Sequence, residues 1–170
     1  MTRFANKAVL VTGGTRGIGA AITKAFLTEG ARVAINGRTS ASTADAMVDL
    51  KGAIAAPGDV STVAGCEAAV GAALTAFGGL DVLVNNAGIF ERGTVEETSE
   101  EMWDAVMNAN VKSILFCTRA ALPSLRSAKG AIVNIASESG LNGYPETTAY
   151  CASNSAAVNL TRSMAMAFAP

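Results

Sequence analysis

Ala8-Val9-Leu10-Val11-Thr12-Gly13-Gly14-Thr15-Arg16-Gly17-Ile18-Gly19 is the stretch that decides the fold. Its first four residues read as a short buried strand. Beyond the glycines, from Ala20 to Gly30, Ile22, Phe26 and Leu27 fall at helical spacing. Strand, glycine turn and helix therefore follow one another. With few side chains in the turn, a ligand can approach the backbone closely, and the helix N-terminus aims unpaired N–H groups and the positive end of its dipole at it. A pyrophosphate suits such a place, which makes Gly13, Thr15, Arg16, Gly17, Ile18 and Gly19 candidate nucleotide contacts. Taken alone, the same glycines also suit a tight turn that needs them only for its dihedrals.

The rest of the chain repeats the alternation. Arg32 to Asn36, Ala53 to Ala56, Leu80 to Val84 and Ala131 to Ala136 read as short apolar strands between amphipathic, helix-length segments. Gly30, Gly52, Pro57-Gly58, Gly78-Gly79 and Gly130 punctuate the joints. Such alternation implies an α/β fold, a doubly wound parallel sheet of about five strands with helices on both faces. With 50% hydrophobic and 16% charged residues in 170 positions, one compact core is expected, and residues 1–170 read as a single domain without linker or repeat. A net charge of -1 without a basic stripe argues against nucleic acid as a main partner. No apolar stretch is long enough to span a bilayer, and glycines interrupt the run after Val11 before it can form a signal-peptide core. There is no His, and Cys66, Cys117 and Cys151 lack metal-ligand spacing, so no metal site is expected. Three scattered cysteines fit a reducing, cytoplasmic compartment. The acidic cluster Glu96, Glu97, Glu100, Glu101 and Asp104 reads as a helix start, with a capping box from Thr98 to Glu101.

Taken together, the motifs resemble the short-chain dehydrogenase/reductase family in its single-domain form, nearest to its 3-oxoacyl-[acyl-carrier-protein] reductase-like or glucose-dehydrogenase-like members. The residues that carry the resemblance are Thr12 to Gly19, Asp59-Val60, Asn85-Asn86-Ala87-Gly88, Asn110, Ser137 and Tyr150, in that order along essentially the whole chain. The resemblance implies a Rossmann-type sheet in the order 3-2-1-4-5, with a dinucleotide across the crevice where the strand order reverses. Asp59 would then meet the adenine amino group beside Val60, although it also reads as a helix cap. Ala87 and Gly88 would let the chain pass close to the adenosine, with Asn86 beside them, while Asn85 and Asn86 can tie neighbouring strand ends by amide hydrogen bonds. The end of the second strand, where an acidic residue would select NAD, carries Gly37-Arg38 instead. Arg38, helped by Arg16, can hold a 2′-phosphate, which favours NADP(H) over NAD(H). As a plainer alternative, Arg38 is a solvated loop cation.

The same resemblance gives Tyr150 the role of exchanging a proton with a substrate carbonyl oxygen as hydride moves to or from a nicotinamide, and gives Ser137 the role of holding that oxygen. A tyrosine with its ordinary pKa of about 10 is poorly matched to neutral pH and needs nearby positive charge. In the family a lysine four residues on provides it. Here that position is Asn154, on the same helix face, because the apolar stripe Ala152, Ala156, Leu160, Met164 and Phe168 makes the segment from Ala149 onward helical. A unit charge about 5 Å away at an effective dielectric of about 20 is worth roughly 3 kcal/mol, a little over two pKa units. A neutral amide cannot replace it, although it can still hydrogen-bond a nicotinamide ribose. Activity is expected to fall on the order of a hundredfold or more. Asn110 would, by the resemblance, anchor a water in a proton relay that Asn154 leaves incomplete.

The chain ends at Ala169-Pro170, where the family normally continues through a strand, a substrate-covering loop and a last strand. The expectation is a C-terminally truncated Rossmann domain with the strand Ala131 to Ala136 as an exposed apolar edge. The helices from Trp103 to Leu125 and after Tyr150 would remain available for the pairing that builds dimers in the family. Two functions follow. One is an NADP-dependent oxidoreductase acting on a small-molecule carbonyl or secondary alcohol, impaired at Asn154. The other is a nucleotide-binding protein without activity, or a degenerate fragment.

Overall fold

The computed structural model describes residues 2–168, so the expected ending at Ala169-Pro170 lies outside the described residues. Five strands, β1 (Ala8–Val11), β2 (Arg32–Ile35), β3 (Ile54–Ala55), β4 (Val82–Asn85) and β5 (Ala131–Asn134), form one parallel sheet in the order β3-β2-β1-β4-β5. Between them run α1 (Gly17–Thr28), α2 (Ser40–Met47), α3 (Val63–Phe77), α4 (Glu100–Met107) and α5 (Ser113–Ala128), and α6 (Thr148–Phe168) follows β5. This is the doubly wound Rossmann arrangement.

Both sheet faces are covered, which is why the strands read as continuous apolar runs rather than as alternating ones. Val9, Val11, Val33, Ile35, Val82 and Val84 face one way, against Ile22, Phe26 and Leu27 of α1 and Ala46 and Met47 of α2. Leu10, Ala34 and Leu83 face the other way, against Cys66, Ala69, Val70 and Ala73 of α3 and Cys117, Ala121 and Leu125 of α5. Ala157 and Met164 of α6 pack separately on Ile114 of α5. Burying one Val or Leu side chain contributes about 1.5–3 kcal/mol, so these layers hold the strand ends in fixed register. Glycines with positive φ close two helices, Gly30 at 84° after α1 and Gly78 at 76° after α3.

Several expectations change in detail. The helix start falls one residue later than the Thr98 box: Ser99 accepts the Met102 N–H at 3.2 Å, while the Thr98 hydroxyl donates to the Thr94 carbonyl. The helix expected from Trp103 to Leu125 is interrupted by a π-helical segment, Asn108–Lys112, between α4 and α5. The second, third and fifth strands are shorter than their apolar runs, and the fourth starts at Val82 rather than Leu80 and extends to Asn85, because pairing stops where the chain turns into the connecting loops. β5 is an edge of the sheet, with Val133 43% exposed.

Candidate active site

At the C-terminal ends of β1, β2, β3 and β4 lies a groove of about 890 Å³. Its walls come from Gly13 and Thr15 to Gly19, Asn36 to Thr39, Gly58 to Ser61, and Asn86 to Ile89. The glycine turn forms its floor, with Gly13 at φ 59° and Gly17 at φ 54°, where a Cβ would be strained. A Cβ on Gly19 would press into the Gly13 carbonyl oxygen and lie 2.5 Å from the Asn86 side-chain nitrogen. Arg16 places no side-chain cap on α1, and Ala20 N donates to the Arg16 carbonyl, so the N–H groups of Gly17, Ile18 and Gly19 precede the helical ladder. Bare N–H groups, a dipole end and the lack of a Cβ at Gly13, Gly17 and Gly19 fit a dinucleotide phosphate.

Two buried side chains that were not among the candidate contacts organise this floor. The Thr12 hydroxyl accepts from the backbone N–H groups of Asn86 at 2.9 Å and Ala87 at 3.0 Å, joining the loop after β4 to the turn after β1. Asn36 accepts from Gly13 N at 3.3 Å and donates to the carbonyls of Ala56 at 3.0 Å and Gly58 at 2.9 Å, joining β1, β2 and β3. A polar residue closing an otherwise apolar strand run, as Thr12 and Asn36 do, was the available signal. The Asn pair at the end of β4 ties strand ends as anticipated: Asn85 donates to the Asn134 side chain at 2.8 Å, and Asn86 donates to the carbonyls of Thr12 and Gly13.

Gly37, Arg38 and Thr39 border the same groove, with Arg38 and Arg16 exposed. A Cβ on Gly37 would lie 2.6 Å from the Thr43 hydroxyl, so the β2 end stays bare by packing as well as by sequence. Asp59 is not the cap of α3; Thr62 is, accepting the Gly65 N–H at 3.0 Å. Asp59 instead accepts from the Ser61 hydroxyl at 2.7 Å and the Ser61 N–H at 3.0 Å. The Ser61 hydroxyl bond, with smaller help from the Ser61 N–H and the Arg38 charge, holds the Asp59 carboxyl below its ordinary range against the opposing cost of burial. Val60 is buried behind it.

Ser137, Tyr150 and Asn154 are not among the walls of this groove and connect to it through Asn110. In the π-helical segment, the Asn110 amide accepts from Ile89 N at 2.8 Å and donates to the Ile89 carbonyl at 3.0 Å and the Ser153 hydroxyl at 3.1 Å. That hydroxyl donates to the Tyr150 carbonyl at 2.8 Å. Asn154, 6% exposed, donates through its side-chain nitrogen to the same carbonyl at 3.0 Å and accepts the Ser137 N–H at 2.8 Å. Its amide is thus engaged with two backbone groups, Ser137 N–H and the Tyr150 carbonyl. The Tyr150 ring stands edge-on to Phe90 with centroids 4.8 Å apart. The Ser137 hydroxyl accepts from Ser139 N at 3.2 Å, within a short 3₁₀ turn. Tyr144 donates to Glu138 at 2.7 Å, a bond that raises the Tyr144 pKa, and Glu146 lies 3.8 Å from Arg92.

A second, apolar groove of about 640 Å³ runs between the α4–α5 region and α6, lined by Met107, Val111, Leu115, Phe116 and Leu160 among others. No helix among the described residues is long and apolar enough to cross a membrane.

Residues 7–170 match the family model described as short chain dehydrogenase. Over 96% of this chain, the sequence is 42% identical to 2-(S)-hydroxypropyl-CoM dehydrogenase 3 of Xanthobacter autotrophicus and 40% identical to meso-2,3-butanediol dehydrogenase of Serratia marcescens, covering 66% of each. It is 36% identical to L-fucose dehydrogenase of Mus musculus, covering 98% of this chain and 61% of that one. The chain therefore spans slightly less than two thirds of these relatives' length. A solved structure from Sinorhizobium meliloti 1021, provisionally described as a short-chain alcohol dehydrogenase, superposes with a TM-score of 0.92 at 36% identity, over 98% of this chain and 68% of that one. The chain belongs to the short-chain dehydrogenase family.

Proposed function

We propose that residues 1–170 form one nucleotide-binding domain of an oxidoreductase that moves hydride between NADP(H) and a small-molecule carbonyl or secondary alcohol. The groove at the strand ends, with its glycine floor and bare helix N-terminus, is the observation that carries this reading. Gly13, Thr15 to Gly19, and Asn86 to Gly88 hold the phosphates and adenosine side, with Asp59 and Val60 at the adenine. Arg38 and Arg16 hold a 2′-phosphate, and the absence of an acidic side chain at Gly37 removes the repulsion that would select NAD. A bound nicotinamide supplies or accepts the hydride. Tyr150 exchanges the proton with the substrate oxygen, Ser137 holds that oxygen by hydrogen bond, and Asn110 fixes the loop beside them. Relatives named for a butanediol and for fucose favour a hydroxylated small molecule as the substrate.

Asn154 supplies no positive charge to Tyr150, which supports a slow reaction and gives the second reading its basis: a nucleotide-binding protein without turnover. Titration with NADPH and NADH tests binding, and hydride transfer to a panel of simple ketones and diketones tests chemistry. NADPH-selective binding with slow transfer supports the first reading, while the same binding with no transfer supports the second. The apolar groove beside Leu115 and Leu160 is the surface proposed to receive a second copy. Sedimentation showing only monomer at micromolar concentration would remove the dimer.

A further inference from the structure

We propose that Asn154 is a positioning residue, whose amide fixes Ser137 against the first turn of α6 and makes no contact with nucleotide or substrate. The proposal rests on the reading of Ser137 and Tyr150 as the reacting pair. Ser137 lies three residues beyond β5, and Tyr150 stands in the first turn of α6, reached after a loop of exposed residues from Leu141 to Glu146. The Ser155 hydroxyl ties the turn after Ser137 to α6 by donating to the Gly140 carbonyl at 3.0 Å, but it reaches neither Ser137 nor Tyr150. One buried side chain bonds to the backbone of both across seventeen positions: the Asn154 Oδ1 takes the Ser137 N–H at 2.8 Å, and its Nδ2 gives a hydrogen to the Tyr150 carbonyl at 3.0 Å.

The two bonds do different things. Ser137 N–H would otherwise be a partly buried donor without an acceptor, and Tyr150 O already receives the Ser153 hydroxyl at 2.8 Å, which Asn110 in turn meets at 3.1 Å. Asn110, Ser153 and Asn154, all buried, thus form a continuous polar path from the Ile89 backbone to Ser137. Close packing enforces it, since a Cβ on Gly140 would lie 2.8 Å from the Asn154 backbone oxygen. Only a short side chain carrying one acceptor and one donor makes both contacts. Lys has donors but no acceptor, Asp has acceptors but no donor when ionised, and Leu has neither.

Amide hydrogen exchange at Ser137 in nucleotide-free protein, followed by NMR or on the peptide containing it, tests the assignment alongside NADPH titration. In Asn154→Leu, Ser137 is expected to exchange about tenfold faster or more, the scale of losing a buried acceptor, with NADPH affinity within about threefold of the parent. In Asn154→Asp, which retains the acceptor, Ser137 protection is expected to stay near that of the parent. Unchanged Ser137 exchange in a folded Asn154→Leu protein would overturn the proposal, as would a large loss of NADPH affinity confined to the side-chain change. If Asn154→Leu does not fold, fast Ser137 exchange in Asn154→Asp overturns it instead. Failure of the parent to bind NADPH would count against the proposed function and leave the exchange result to stand by itself.

Discussion

From Gly13 to Gly19 the chain spends four of its positions on glycine and leaves helix N–H groups open, whereas around Ser137, Tyr150 and Asn154 it supplies polar groups and bonds them to one another. The first region is organised to receive something from outside. The second is organised to hold itself together, and the one position where the family resemblance calls for a cation carries an amide tied to two backbone groups. Under the proposed function, binding and chemistry draw on separate sets of residues, and Asn110 with the Ile89 backbone is one of the links between them. Damage to one need not spread to the other.

The sharpest way to break that contrast is to fill the first region. Gly19→Ala would drive a Cβ into the Gly13 carbonyl, and overpacking of this kind costs about 1–3 kcal/mol. Loss of detectable NADPH binding with a lowered melting temperature is expected; parent-like binding would show that the turn is not the phosphate site. The second region is sharpened by Asn154→Lys, which restores a charge near Tyr150. Hydride transfer is expected to rise on the order of a hundredfold, while stability falls because Ser137 N–H loses its acceptor. Steady-state rates and melting curves read the two effects separately, and no rise in rate would place the impairment elsewhere.

Smaller effects test the flank of the groove. Arg38→Ala is expected to weaken NADPH roughly tenfold while leaving NADH nearly unchanged, as for loss of one charge-assisted bond. Equal losses for both nucleotides would assign Arg38 a structural role. The smallest effect concerns Asp59, whose carboxyl is held below its ordinary pKa first by the Ser61 hydroxyl. A depressed folded-state pKa stabilises above the unfolded pKa, and the gain disappears as pH falls through the folded one. Ser61→Ala is therefore expected to destabilise by about 0.5 kcal/mol or less at pH 7, screened because Asp59 is exposed, and by less at an acidic pH where its carboxyl takes up a proton. Melting curves at both pH values check the sign.

Much of the fold was legible because two-sided burial writes itself as uninterrupted apolar runs, as at Ala8 to Val11 and Leu80 to Val84. The glycine turn was legible because positive φ at Gly13 and Gly17 and the close packing at Gly19 each require glycine. The π-helical interruption at Asn108–Lys112 was not, since every residue there tolerates a helix and the break depends on contacts to the loop after β4. Nor was the shift of the cap from Thr98 to Ser99, where neighbouring hydroxyls compete for one role. Asn154 was visible as a departure from the family pattern, yet the direction of its amide depends on where the Ser137 backbone lies, seventeen positions earlier. Long-range hydrogen bonds leave no local periodicity.

Fluorescence titration of the chain with NADPH and NADH, read by nicotinamide enhancement and by energy transfer from Trp103, tests the separation of binding from chemistry most directly. The groove geometry predicts saturable binding that prefers NADPH, undiminished by Asn154→Leu. A cooperatively folded protein that binds neither nucleotide, or one whose binding collapses with Asn154→Leu, would contradict it.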